Sequence, residues 1–99
     1  MIRRVIVRPP AVEDIASAAT WYEAQQDGLG VDLTDETIRA IRRAQEAPEL
    51  FSILRPRDGM RRVLTERFPY RVFFTVIDDT LHVHAVLHGA QHDRHWRER

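Results

Sequence analysis

Three imidazoles and an arginine stand close together in "RFPYRVFFTVIDDTLHVHAVLHG", residues 67–89: His82, His84 and His88, with Arg71 on the preceding apolar run. Histidines two apart on a strand point the same way, so His82 and His84 have the spacing of a zinc pair. The chain has no cysteine, and no carboxylate is placed to complete such a site. The row therefore reads as strand histidines, and neither a metal nor another cofactor is expected. Arg71 reads as a cation for an anionic target or as a solvated strand residue. Glu66 could serve His88 as an acid–base partner if the fold joined them. More simply, Glu66 pairs with Arg67 at a strand end. His92 and His95, in "HDRHWRER", read as solvated tail residues.

Those groups need strands to hold them. Counting by twos gives Tyr70, Val72, Phe74, Val76 and Leu81, Val83, Ala85, Leu87, two apolar rows suited to a core. The opposite rows, Arg71, Phe73, Thr75, Ile77 and His82, His84, Val86, His88, mix apolar area with charge and predict an uncovered face. "MRRVLTER" reads as a strand before this pair, with Phe68-Pro69 and Asp78-Asp79 as turns. "RRVIVRPP" reads as a first strand that stops at its prolines. Between them lie two helical patterns. The first has Val12, Ile15, Ala16, Ala19 and Tyr22 on one stripe. The second has Leu33, Thr37, Ile41 and Ala44, and "DGLG" at 27–30 separates them. "APELFSILRPRDG" reads as an irregular link. The expectation is a single α+β domain over residues 1–99, in the order β-α-α-β-β-β. A helical hairpin covers one face of an antiparallel meander to which the first strand adds. Tyr22 fits the buried stripe of the first helix. Trp21 stands at its edge, either packed against the second helix or lining a docking groove.

Ninety-nine residues suffice for one core but not two, and packing alone must hold it. Formal charge is zero, with 15 basic and 15 acidic residues, every basic one an arginine. Acids outnumber arginines from Pro10 to Glu49, and the reverse holds from Leu50 onward. The histidine-bearing strands thus belong to the basic half, which suits an acidic partner. "MIRRVIVRPP" has no apolar run long enough for a signal peptide or a membrane span, so a cytoplasmic protein without membrane contact is expected.

In order, spacing and total length the chain resembles the RelE/ParE superfamily of bacterial type II toxins. "PPAVEDIASAATWYEAQQDGLGVDL" looks like its first helix and turn, "APELFSIL" like the exit of its second helix, and residues 67–89 like its meander. The resemblance implies a hetero-oligomer with a cognate antitoxin, whose acidic segment would meet the arginines. It also implies one of two activities. ParE-like members poison DNA gyrase, whereas RelE-like members cut mRNA in the ribosomal A site. The nucleases use basic residues on the strand after the helices and an arginine in a Tyr-Arg pair. They also use an arginine just after the glycine closing the last strand and a C-terminal tyrosine. Arg62 and Arg71 match two of these places. Leu64, Gln91 and a tail without tyrosine depart from the rest, which favours the ParE-like activity. A nuclease would have to use Arg62, Glu66, Arg71 and His88. A toxicity surface would comprise Arg62, Arg71, His88 and Arg94, and an antitoxin interface Trp21, Phe73, Ile77, Val86 and Trp96. A third possibility is a non-toxic member that only binds antitoxin.

Overall fold

A computed structural model describes residues 1–89. Trp96 and Arg94, with Gln91, His92 and His95, lie outside the described residues. The first strand, β1 (Arg4–Val7), ends where Pro9 and Pro10 open helix α1 (Pro9–Gln25). Proline fits a helix's first turn because the amides lost there have no intrahelical acceptor. Helix α2 (Leu29–Glu46) follows, then a 3-10 turn (Pro48–Leu50) and strands β2 (Ile53–Arg55), β3 (Met60–Leu64), β4 (Tyr70–Ile77) and β5 (Thr80–His88).

The expected α+β order is present with one addition. Ile53–Arg55, expected as irregular link, pairs antiparallel with β3 and forms an edge of a five-stranded sheet, β1-β5-β4-β3-β2. The first strand adds to the other end, parallel to β5, with Val5 opposite Leu81. The hairpin from β4 to β5 turns at Asp78, which takes a left-handed φ of 57°.

The helices cross closely because of what surrounds the Gly turn. Gly28 is left-handed, and the Glu23 carboxylate accepts the Gly28 amide at 3.0 Å and the Gly30 amide at 3.0 Å. A Cβ on Gly30 would stand 2.7 Å from the Ala19 carbonyl oxygen, so only glycine allows this approach. The stripe expected of α2, Leu33, Thr37, Ile41 and Ala44, is buried as expected, with Ile41 and Ala44 in the core against the sheet and Leu33 against Ala18 and Phe68. That of α1 is rotated: Ala11 and Ala18 are buried, while Val12 is half exposed and Ala16 faces water.

One irregularity redistributes the two faces of the sheet. Phe73 pairs with Ala85, but the next residue, Phe74, pairs with Val83, which leaves His84 as an extra residue in β5. Such a bulge shifts every later side chain to the opposite face. Leu81 and Val83 face the helices as expected, but Ala85 and Leu87 do not. They join Phe73 and Met60 in a small cluster on the outer face. Val86 enters the main core with Ala11, Ile41, Phe74 and Val83.

The outer face is also less open than its sequence predicts. Phe73, Met60, Ala85 and Leu87 are at most 2% exposed, and Thr75 is buried. Of the row Phe73, Thr75, Ile77 and Val86, only Ile77 is exposed.

Candidate functional site

The two halves of the charge pattern become two layers. None of the described strand residues is an acid, while Arg4, Arg55, Arg61, Arg62 and Arg71 lie on strands. Helix α1 has no basic residue and carries Glu13, Asp14 and Glu23. The sheet layer therefore presents positive charge and the first helix negative charge.

On the outer face, Arg62 stands opposite Phe73, and Arg71 opposite Leu64. Arg62 is exposed, whereas Arg71 is half-buried with its guanidinium carbon 5.5 Å from the centre of the Phe73 ring. The expectation of a solvated Arg71 is corrected accordingly, because the guanidinium lies on an aromatic platform. Farther along the same face the His82 and His84 rings stack at 6.3 Å, and His84 Nε2 lies 2.8 Å from Thr75 Oγ1.

The other expected groups are drawn elsewhere. Glu66 pairs with Arg43 of α2 at 3.1 Å, and Arg43 also donates to the Leu64 carbonyl at 2.6 Å. Arg67 pairs instead with Asp32 at 3.2 Å, so the simple Glu66–Arg67 strand-end pair is replaced by two links to α2. The bulge carries His88 to the helix side, where its ring meets Tyr70 edge-on at 5.4 Å. His88 therefore does not share a face with His82 and His84. Among the described residues no three acidic or histidine side chains converge as metal ligands.

Where His88 goes, there is a cleft. A cavity of about 400 Å³ is lined by Asp14, Trp21, Tyr22, Tyr70, Val86 and His88, with Ser17 and Ala18. Tyr22 holds it together, meeting Trp21 at 4.9 Å, Phe68 at 4.9 Å and Tyr70 at 6.2 Å, each edge to face. Asp14 closes one side by accepting the Val86 amide at 2.9 Å. Burial, with the neighbouring Tyr22, pushes the Tyr70 phenol above its usual value, so it stays protonated. Trp21 forms the rim and is 59% exposed.

Of the residues expected at an antitoxin interface, Trp21 and Val86 thus meet in this cleft, Phe73 is buried on the outer face and Ile77 is exposed at the far end of β4. Tyr70 and Asp14 were not among the expected site residues. Tyr70 belongs by its spacing to a row suited to the core.

A half-buried imidazole in the outer face makes stability depend on pH. Burial pushes His84 below its usual value, and His82, Arg8 and Arg55 act in the same direction while Asp58 opposes them. The unfolded chain, titrating near about 6.5, then takes up the proton first. Stability is complete above that value and falls as pH drops through it toward the folded value. Urea unfolding between about pH 8 and pH 5 should show this decline, and His84→Gln should flatten it. An unchanged slope in that variant would assign the effect to another group.

A strand, a helical hairpin and four further strands in one five-stranded sheet make an α+β fold consistent with that of the RelE/ParE-like toxins. A family model described as "ParE toxin of type II toxin-antitoxin system, parDE" matches residues 5–93. The chain belongs to this family and is a type II toxin, for which a cognate antitoxin is implied. No curated protein matched the chain. Among the described residues no helix is long and apolar enough to cross a membrane.

Proposed function

We propose that the chain, acting as one domain in the cytoplasm, poisons DNA gyrase and is neutralised when an acidic segment of its antitoxin covers the arginine-bearing outer face. One observation carries the choice of target over mRNA cleavage. Among the described residues the groups a nuclease would need here do not all converge: Glu66 and Arg71 line one pocket, but His88 stands apart from them. Arg62 and Arg71 occupy the outer face, Glu66 is held by Arg43, and His88 sits in the cleft on the helix side. Attack by a 2′-OH needs a base within hydrogen-bond reach and cations on the same phosphate. Losing one such stabilising contact costs a factor of roughly a hundred or more.

Two assays test the reading. Purified protein should inhibit supercoiling by gyrase, and induced cells should filament and mount a DNA damage response. Primer extension on a translated message should show no A-site cuts. Cuts that vanish in a His88→Ala variant would move the chain to the ribosome-dependent nucleases. Normal growth on induction would make it a non-toxic antitoxin-binding member.

A further inference from the structure

The solvent side of the helical hairpin carries both halves of a contact. Val31, Asp35, Ile38 and Arg42 follow one another along α2 at spacings of four, three and four, which puts them in one row, and all four are exposed. Val31 is 63% and Ile38 42% exposed, and they are the large apolar side chains that α2 leaves to solvent. The row divides by charge. Its first half borders a groove of about 630 Å³ between the helices, walled by Ala19 and Ala24 of α1 and by Val31 and Thr34 of α2. The charged residues of that groove are Glu23 and Asp35, with no basic one. Its second half sets Ile38 among Arg39 and Arg42, both exposed. Glu23 is engaged by the Gly28 and Gly30 amides, whereas Asp35, Arg39 and Arg42 make no ion pair among the described residues. An apolar groove with an acid on its rim is the complement of an apolar side chain flanked by arginines. One helix presents both.

We propose that this face binds a second copy of the chain, with the two α2 helices antiparallel, Ile38 of each copy seated in the groove of the other, and Asp35 of each beside Arg39 and Arg42 of the other. Val31 and Ile38 are seven residues apart, about 10 Å along the helix axis. A two-fold axis passing midway between them therefore forms both contacts at once. Such an isologous interface requires a patch that complements itself. The order of acid, then base, along α2 meets that requirement when the copies run antiparallel, while parallel copies would set acid against acid. The contact is small, so monomer and dimer exchange with concentration. Pairing within the helix is another use for Asp35 and Arg39, which are four residues apart, but it gives Ile38 and the groove nothing to cover them. The helices lie on the face of the sheet opposite Phe73 and Arg62. A second copy docked here leaves the outer face open, and the inference does not depend on the toxin reading.

Sedimentation of the full chain across the micromolar range tests the proposal, with circular dichroism to confirm that each variant folds. Wild type should pass from monomer to dimer as concentration rises, and added salt should shift it back. Asp35→Arg as one variant, and Arg39→Asp with Arg42→Asp as another, place like charges in both contacts. Each should dimerise about tenfold or more weakly. All three positions are exposed, so the fold should be unaffected. Mixed together, the two variants oppose unlike charges at both contacts, and a heterodimer should form with an affinity near that of wild type. Pairing within one helix cannot produce that rescue. Ile38→Ser should weaken association in the wild-type charge background. A wild-type chain that stays monomeric, variants that dimerise as wild type does, or a mixture that does not associate would each overturn the proposal. Growth arrest in induced cells is scored separately and bears on the toxin reading alone.

Discussion

Glu36→Ala is expected to remove about 3 kcal/mol of stability, on the scale of a buried and a partly buried donor left without their charged acceptor. Glu36 is 4% exposed on the buried stripe of α2. Its Oε1 accepts the Arg67 amide and, at 3.0 Å, the Phe68 amide. These amides lie in the turn between β3 and β4, where the Thr65 hydroxyl also accepts the Tyr70 amide at 3.1 Å. One carboxylate thus ties the second helix to the turn that places Phe68 and Tyr70 against Tyr22.

For a domain of this size the loss corresponds to a fall in Tm of roughly 12 °C or more. Glu36→Gln retains an acceptor oxygen and should lose substantially less. Asp35→Ala, one residue away and exposed, should stay within about 0.5 kcal/mol of wild type. Thermal melting of the three variants decides the matter. A Glu36→Ala protein that melts with wild type would show that the turn holds itself, and the role assigned to the carboxylate would be wrong.

Glu36 also illustrates where the sequence is readable and where it is not. The α2 stripe follows from Leu33, Thr37, Ile41 and Ala44, and Glu36 lies on the same side as Leu33 and Ala40. An acid on an apolar stripe is a signal of a buried acceptor, but nothing local names the Arg67 and Phe68 amides that arrive from thirty or so residues later. The rotation of α1 has a different cause. With Ala11, Ala16, Ala18, Ala19 and Ala24 spread around the helix, small residues fit several faces, and the larger Val12 is a poor guide. The bulge at His84 is harder still. "LHVHAVLH" has no glycine or proline to mark an extra residue, and its alternation gives way only to the continuous apolar run Ala85-Val86-Leu87, which fits either face. As a consequence Val86 and His88 were assigned to the wrong face, and the cleft they help line was not foreseen as a unit. The charge halves, by contrast, survive folding as layers because each coincides with a type of secondary structure.

Arg62→Ala is expected to weaken inhibition of the cellular target about tenfold or more while leaving the fold intact, provided the outer face is the toxic surface. Arg62 is exposed and stands beside Phe73, so truncation should cost stability no more than about 0.5 kcal/mol. Arg71→Ala should lower toxicity as well, but it is a less selective probe. Its guanidinium stacks on Phe73 and its stem covers apolar surface, so about 1 kcal/mol of stability should go with it. Arg71→Lys separates the two effects: it keeps the charge while losing the planar group that lies on the ring. If a cation alone is needed, lysine restores inhibition; if stacking fixes the cation's position, it does not. The measurement is gyrase supercoiling inhibition by purified variants, with growth arrest scored at matched protein abundance. Inhibition by wild-type protein should also weaken as salt rises, since a contact made by exposed arginines is screened within about 10 Å at moderate ionic strength. Two alanine variants that inhibit and arrest growth as strongly as wild type, at any salt, would remove this face from the mechanism. The search for the toxic surface would then move to the cleft around Trp21, Tyr70 and His88.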